Sequence, residues 1–217
     1  MKFKHLLFAL LVNTGSGTNW VGGKLVTDHF PPLFSVGARF VILAVVLAGF
    51  ARIIHGQMRT VLAIAIVLGV MQFGFMFVAL DWAEDVSPLV IANQIYVPFS
   101  TILALFFLGE RVGWRRTAAI AIAFSGVLVM GFEPSVFRQW DALLLVIASA
   151  MSLSVASILM RRLRGVWVFE LQFWIAILAA PQMFLLSWIF ESGQIESVLN
   201  APLIGYGAFL YGLFVGS

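Results

Sequence analysis

Apolar residues along this chain come in long unbroken runs. About 20 helical residues are needed to cross a hydrocarbon core roughly 30 Å thick. Against that ruler the pattern predicts eight membrane-spanning helices: Leu6 to Val26, Leu33 to Ile54, Val61 to Leu80, Val86 to Leu108, Trp114 to Phe132, Ala142 to Met160, Val166 to Phe190 and Ala201 to Ser217. The runs lack two-residue alternation and are about twice the length of a membrane strand, which argues against a β-barrel. Links between them are short and carry Pro31-Pro32, Ser87-Pro88 and Gly113, as turns between packed neighbours do. The expected architecture is an all-α polytopic helix bundle.

Composition agrees, with 62% hydrophobic and 11% charged residues in 217, and the spans leave no stretch for a separate soluble domain. The chain has no cysteine, which removes disulfides, thiolate metal sites and cysteine nucleophiles. A pI of 9.7 would suit nucleic acid, but the basic residues sit in short loops rather than on a basic and aromatic face. They read instead as topology signals, because basic short loops stay cytoplasmic. With the N-terminus inside, Lys2, Lys4, Arg52, Arg59, Arg111, Arg115, Arg116, Arg161, Arg162 and Arg164 lie inside, ten against Lys24 and Arg138 outside. That makes a multi-pass inner-membrane protein with a cytoplasmic N-terminus. Asp28, Asp81, Glu84, Asp85, Glu133, Asp141, Glu191 and Glu196 gather at the outer end. Lys2, Lys4 and the run Leu6 to Val12 also resemble a secretory signal peptide. Cleavage there would remove half of the first span, and no Ala-x-Ala site follows.

Several stretches carry a family resemblance. Gly17-Thr18-Asn19-Trp20 with Lys24 is similar to a first-helix motif, with Ser16 where a tryptophan is often found. Pro32-Leu33-Phe34 with Arg39-Phe40, Asn93 with Pro98-Phe99, Leu108-Gly109-Glu110-Arg111 and Ser125-Gly126-Val127-Leu128 follow in order. Together they resemble the EamA-like type of the drug/metabolite transporter superfamily, whose members have ten helices in two five-helix repeats. The resemblance implies a first repeat over residues 1–133 and an incomplete second over 140–217. An odd number of helices per repeat inverts the second copy, an arrangement that places substrate near the midplane. It also implies two further apolar spans after Ser217, without which the chain would not transport by itself. A weak internal match sets Ser149 to Ser157 against Asn13 to Asn19, and Gln172 near Arg39.

Within the spans, polar residues are the candidates for function. Asn13 to Asn19 are seven consecutive small or polar residues in the first helix, read either as close helix packing or as a cavity wall. Arg39 lies about 10 Å into the second helix at 1.5 Å per residue. A charge there is costly. It is either a snorkelling arginine paired with Asp28 or Asp81, or it faces a cavity together with Lys24 and attracts an anionic group. Asn93, Gln94, Tyr96, Gln72 and Gln172 could line a cavity or bond between helices. Glu110 reads as structural, beside Arg111, Arg115 and Arg116 at the start of the fifth helix. Trp82, Trp114, Trp140 and Trp167 fall at span ends, where interfacial belts place them.

The substrate-binding candidates are therefore Asn19, Trp20, Lys24, Arg39, Asn93, Gln94, Tyr96 and Gln172. The expected function is transport of a small polar or amphipathic solute, such as an amino acid or drug-like compound, by alternating access, with export favoured by the resemblance. The alternatives are a non-transporting assembly protein or an inactive remnant. An intramembrane enzyme is disfavoured, because His5, His29 and His55 lie near span ends. No cofactor, metal or nucleic acid is implied; the expected partners are a small-molecule solute and the lipid bilayer, with a homo-oligomer left open. A water-accessible cavity lined by the first, second, fourth and seventh helices would separate transport from assembly.

Overall fold

A computed structural model describes residues 15, 17–108, 113–131 and 138–215. Among these residues ten helices follow one another: α1 (Gly17–Thr27), α2 (Pro32–Val46), α3 (Met58–Trp82), α4 (Ser87–Asn93), α5 (Tyr96–Leu108), α6 (Trp114–Gly131), α7 (Trp140–Arg162), α8 (Val168–Phe190), α9 (Gln194–Asn200) and α10 (Leu203–Val215). No strand occurs among the described residues. Among the described residues four stretches are long and apolar enough to cross a membrane: α3, α4 with the bulk of α5, α7 and α8. The chain is a multi-pass helical membrane protein.

The first and second expected spans are α1 and α2, turned by 118° across residues 28–31. Pro31 and Pro32 set this turn, since proline suits a helix start but cannot continue one. The second and fourth spans depart most from the sequence reading. The second span stops its α-helix at Val46 and adds one 3₁₀ turn, Ala48–Phe50, instead of running to Ile54. Gly49, a poor helix former, sits in that turn. The fourth span is broken between Asn93 and Tyr96. Pro98 has no N–H to give the Gln94 carbonyl four residues back. Val97 N takes that carbonyl at 3.1 Å instead, and Ile95 N bonds to Ala92 O at 3.1 Å, so the turn tightens to three-residue spacing.

Helix α3 carries a π-helical segment from Ala65 to Gln72. Within it Gly69 meets α8 so closely that an added Cβ would lie 2.6 Å from the Ala179 Cβ. Serines of α7 bond to both irregular regions: Ser149 Oγ donates to the Gln72 carbonyl at 2.9 Å, and Ser154 Oγ to the Tyr96 carbonyl at 2.9 Å. Such bonds satisfy backbone where lipid offers no partner.

Two apolar clusters hold the bundle. One joins Val26, Leu33, Val36, Phe40 and Phe77 to Ala176, Ala179, Ala180 and Met183 of α8. The other joins Trp20, Ala79, Leu80, Leu89 and Ala92 to Ala142 and Val146 of α7. The loops sort by charge: at one end Gln139 Oε1 accepts the Glu84 and Asp85 N–H groups, and at the other Gln57 bonds to the main chain of Arg164.

Candidate functional site

At the acidic end, α3 forms the floor of a groove between α7 and α8, closed at one side by the start of α2. Its volume is ≈ 540 Å³, within the range of small-molecule sites. Val70, Met71, Gly74, Phe75 and Val78 line the floor, Leu145, Leu186 and Phe190 the walls, and Asp81 and Glu191 supply carboxylates. The Glu191 carboxylate receives the Leu33 N–H at 2.6 Å and the Phe34 N–H at 3.0 Å. It caps the first turn of α2, where Pro31 offers no side-chain cap, and its charge complements the positive end of the helix dipole. The groove is thus held between the first and second halves of the chain by one acid.

On a different face of α3 lies a cavity of ≈ 20 Å³, lined by Asn19, Gly23, Ser35, Arg39, Met76 and Phe77, with Phe209 and Gly212 of α10. It has room for about one water. Arg39 is only 6% exposed, and its guanidinium carbon stands 5.5 Å from the centre of the Phe73 ring, a cation–π distance. Two of the sequence candidates, Asn19 and Arg39, therefore share one space. The polar run of the first helix divides between its two readings. Asn19 lines this cavity, Thr18 Oγ1 hydrogen-bonds the Tyr211 hydroxyl of α10, and Gly23 packs on Leu80, whose Cδ1 would lie 2.9 Å from an added Cβ. Asn13, Thr14 and Ser16 lie outside the described residues.

Lys24 does not join Arg39 in this cavity, a correction to the reading of two cations facing one space. Its Nζ pairs with Asp28 Oδ1 at 3.0 Å one turn away and reaches the Asp81 carbonyl at 3.4 Å. A carboxylate four residues on, just past the end of α1, wins over a shared anion site because it costs no long-range arrangement. Trp20 is buried in the second apolar cluster. Asn93 is half-buried, its Oδ1 without a hydrogen-bond partner among the described residues. Gln94 is exposed and Tyr96 half-buried at the helix break; Gln172 is half-buried in the second turn of α8. None of these five lines the groove or the small cavity. Glu110, with Gly109 and Arg111, lies outside the described residues. The groove and the small cavity are built on the first, second, third, sixth, seventh and eighth spans, while the fourth lines a separate space with the fifth, between Val97, Pro98 and Thr101 and Ala119, Ile120 and Ala123.

Sequence reasoning missed the groove because its floor and walls are apolar, and such positions look the same as lipid-facing ones. The readable signal was Glu191, an acid closing a span opposite a proline-started helix.

Comparison with known proteins adds to this geometry. The profile of the EamA-like transporter family matches residues 3–132. A probable amino-acid metabolite efflux pump of Escherichia coli (strain K12) is 27% identical over 226 residues, covering 100% of this chain and 75% of the relative. A protein of the same name from Salmonella typhimurium matches at the same identity and coverage. An uncharacterized transporter of Buchnera aphidicola subsp. Schizaphis graminum is 22% identical over 223 residues, covering 97% of this chain and 73% of the relative.

Proposed function

Because the chain belongs to the EamA-like transporter family, we propose that it exports small amino-acid-type metabolites by alternating access, with the groove over α3 as its outward-facing binding path. The observation that carries this reading is the groove: ≈ 540 Å³ of apolar space with Asp81 and Glu191 among its lining residues. An apolar side chain suits the floor, and an ammonium group suits the carboxylates. Arg39 and Asn19, on the other face of α3, are the partners we assign to the solute's carboxylate when the bundle opens the opposite way. A buried cation is retained where something offsets its burial.

The same reading places the basic loops in the cytoplasm, the acidic end outside and the protein in the inner membrane. It divides the chain into inverted repeats over 1–133 and 140–217. The names of the relatives and the groove both favour transport over a purely architectural role in assembly. Reporter fusions test the orientation. Cytoplasmic signals are expected from the links holding Arg52 and Arg164, and an external one from Glu84. An external signal from the Arg164 link would overturn both the orientation and the inverted repeat.

A further inference from the structure

The two halves of the chain meet again at the basic end, away from the groove. Gln57 Nε2 donates to the Arg164 carbonyl at 3.1 Å, and Gln57 Oε1 accepts the Arg164 N–H at 3.0 Å. Trp174 Nε1 donates to the Arg52 carbonyl at 2.8 Å. Gly56 and Gly165, at φ of 74° and 65°, turn the two loops through a conformation open mainly to glycine. These bonds fix the loops through main chain and amide groups rather than through the arginine side chains. The result is a recess of ≈ 230 Å³ lined by Arg52, His55, Gln57, Arg164 and Glu170.

Its charge balance favours an anion. The Arg164 guanidinium makes no ion pair or hydrogen bond among the described residues. Arg52, with its side chain 83% exposed, pairs with the Glu170 carboxylate, 14% exposed, only at a long 4.0 Å. Two guanidinium groups thus face one carboxylate. Beside the recess Ile53, Trp167, Val168 and Phe169 are exposed, forming an apolar and aromatic flank of the kind found at headgroup depth.

We propose that this recess binds the phosphodiester headgroup of an anionic membrane lipid, with Arg52 and Arg164 on the phosphate and the flank around Trp167 and Phe169 against the acyl chains. Planar guanidinium groups match phosphate oxygens in pairs. Basic pockets between membrane helices suit such headgroups. A free phosphate ion shares the headgroup chemistry, but it would leave the apolar flank without a role.

The test is to purify the intact gene product, exchange it between phosphatidylglycerol and phosphatidylcholine nanodiscs, and count retained lipid by native mass spectrometry. Wild type retains phosphatidylglycerol severalfold over phosphatidylcholine, and inorganic phosphate does not displace it. Arg52→Gln with Arg164→Gln removes the preference at unchanged helix content, while the paired lysine replacements keep part of it. Glu170→Gln strengthens it, and this single change carries the test if the double variant does not fold. Equal retention of both lipids by wild type, full retention by the double glutamine variant, or no gain from Glu170→Gln overturns the proposal. Displacement by inorganic phosphate assigns the recess to a free anion and overturns the lipid.

Discussion

Ser149 donates its hydroxyl to the main-chain carbonyl of Gln72 across 2.9 Å, at the point where the π-helical segment of α3 returns to ordinary α-helix. The bond joins α7 to the floor of the groove, since Met71 and Gly74 flank that carbonyl in sequence and line the groove. Ser149→Ala is expected to lower unfolding stability in detergent by about 1 kcal/mol, the scale of hydrogen bonds between membrane helices. Thermal unfolding checks it, and a variant as stable as wild type would show that the bond is dispensable.

The close approach of α3 and α8 gives a sharper test. Gly69→Ala forces two Cβ atoms to 2.6 Å and should destabilise by about 1–3 kcal/mol, as overpacked sites do. Ala179→Gly removes the opposing Cβ, so the double variant should recover most of the loss. Simple additivity of the two changes would contradict the contact.

Most of the helical plan was legible in the sequence, and the departures have physical causes. Spans follow from run length, because a bilayer demands about 20 apolar residues, and α3, α7 and α8 lie close to their expected bounds. The break at Gln94 and Ile95 was not read, although Pro98 four residues after Gln94 is its cause. The π-helical turn at Ala65–Gln72 has no local sequence mark, since it accompanies contacts to α7 and α8. Polar residues within spans point to a site, yet hydropathy cannot say which way a side chain points. It singles out Arg39 and Asn19, which the fold brings to one cavity, but also Asn93, Gln94 and Gln172, which the fold disperses.

Asp85 provides a pH-dependent prediction. Its Oδ1 accepts the Ser87 N–H and the Ser87 hydroxyl, each at 2.9 Å. These two donors hold the carboxyl below its ordinary value. A carboxyl depressed in the folded state contributes stability above its unfolded value of about 3.9 and loses it as pH falls through the folded value. Hydrogen exchange at the first turn of α4 should therefore quicken only under acid, and at neutral pH in Asp85→Ala. Unchanged exchange in that variant would remove the cap.

Arg39 is expected to serve transport rather than insertion. Arg39→Ala should reach the membrane at wild-type level and export a carboxylate-bearing solute about tenfold more slowly or worse, a loss near 1.4 kcal/mol. Arg39→Lys keeps the charge but not the planar face over Phe73, and should fall between. Wild-type export by the alanine variant, at equal protein level, would reduce Arg39 to a packing role.

The central claim is that solute passes through the groove over α3. The most direct measurement is efflux of a labelled apolar amino acid from preloaded cells expressing the intact gene product, compared with Val78→Trp, which places a bulky ring on the groove floor. Saturable efflux above the empty-vector level, lost in Val78→Trp at equal membrane abundance, is the predicted result. Efflux no greater than the vector control, or undiminished efflux through the filled groove, would contradict the account.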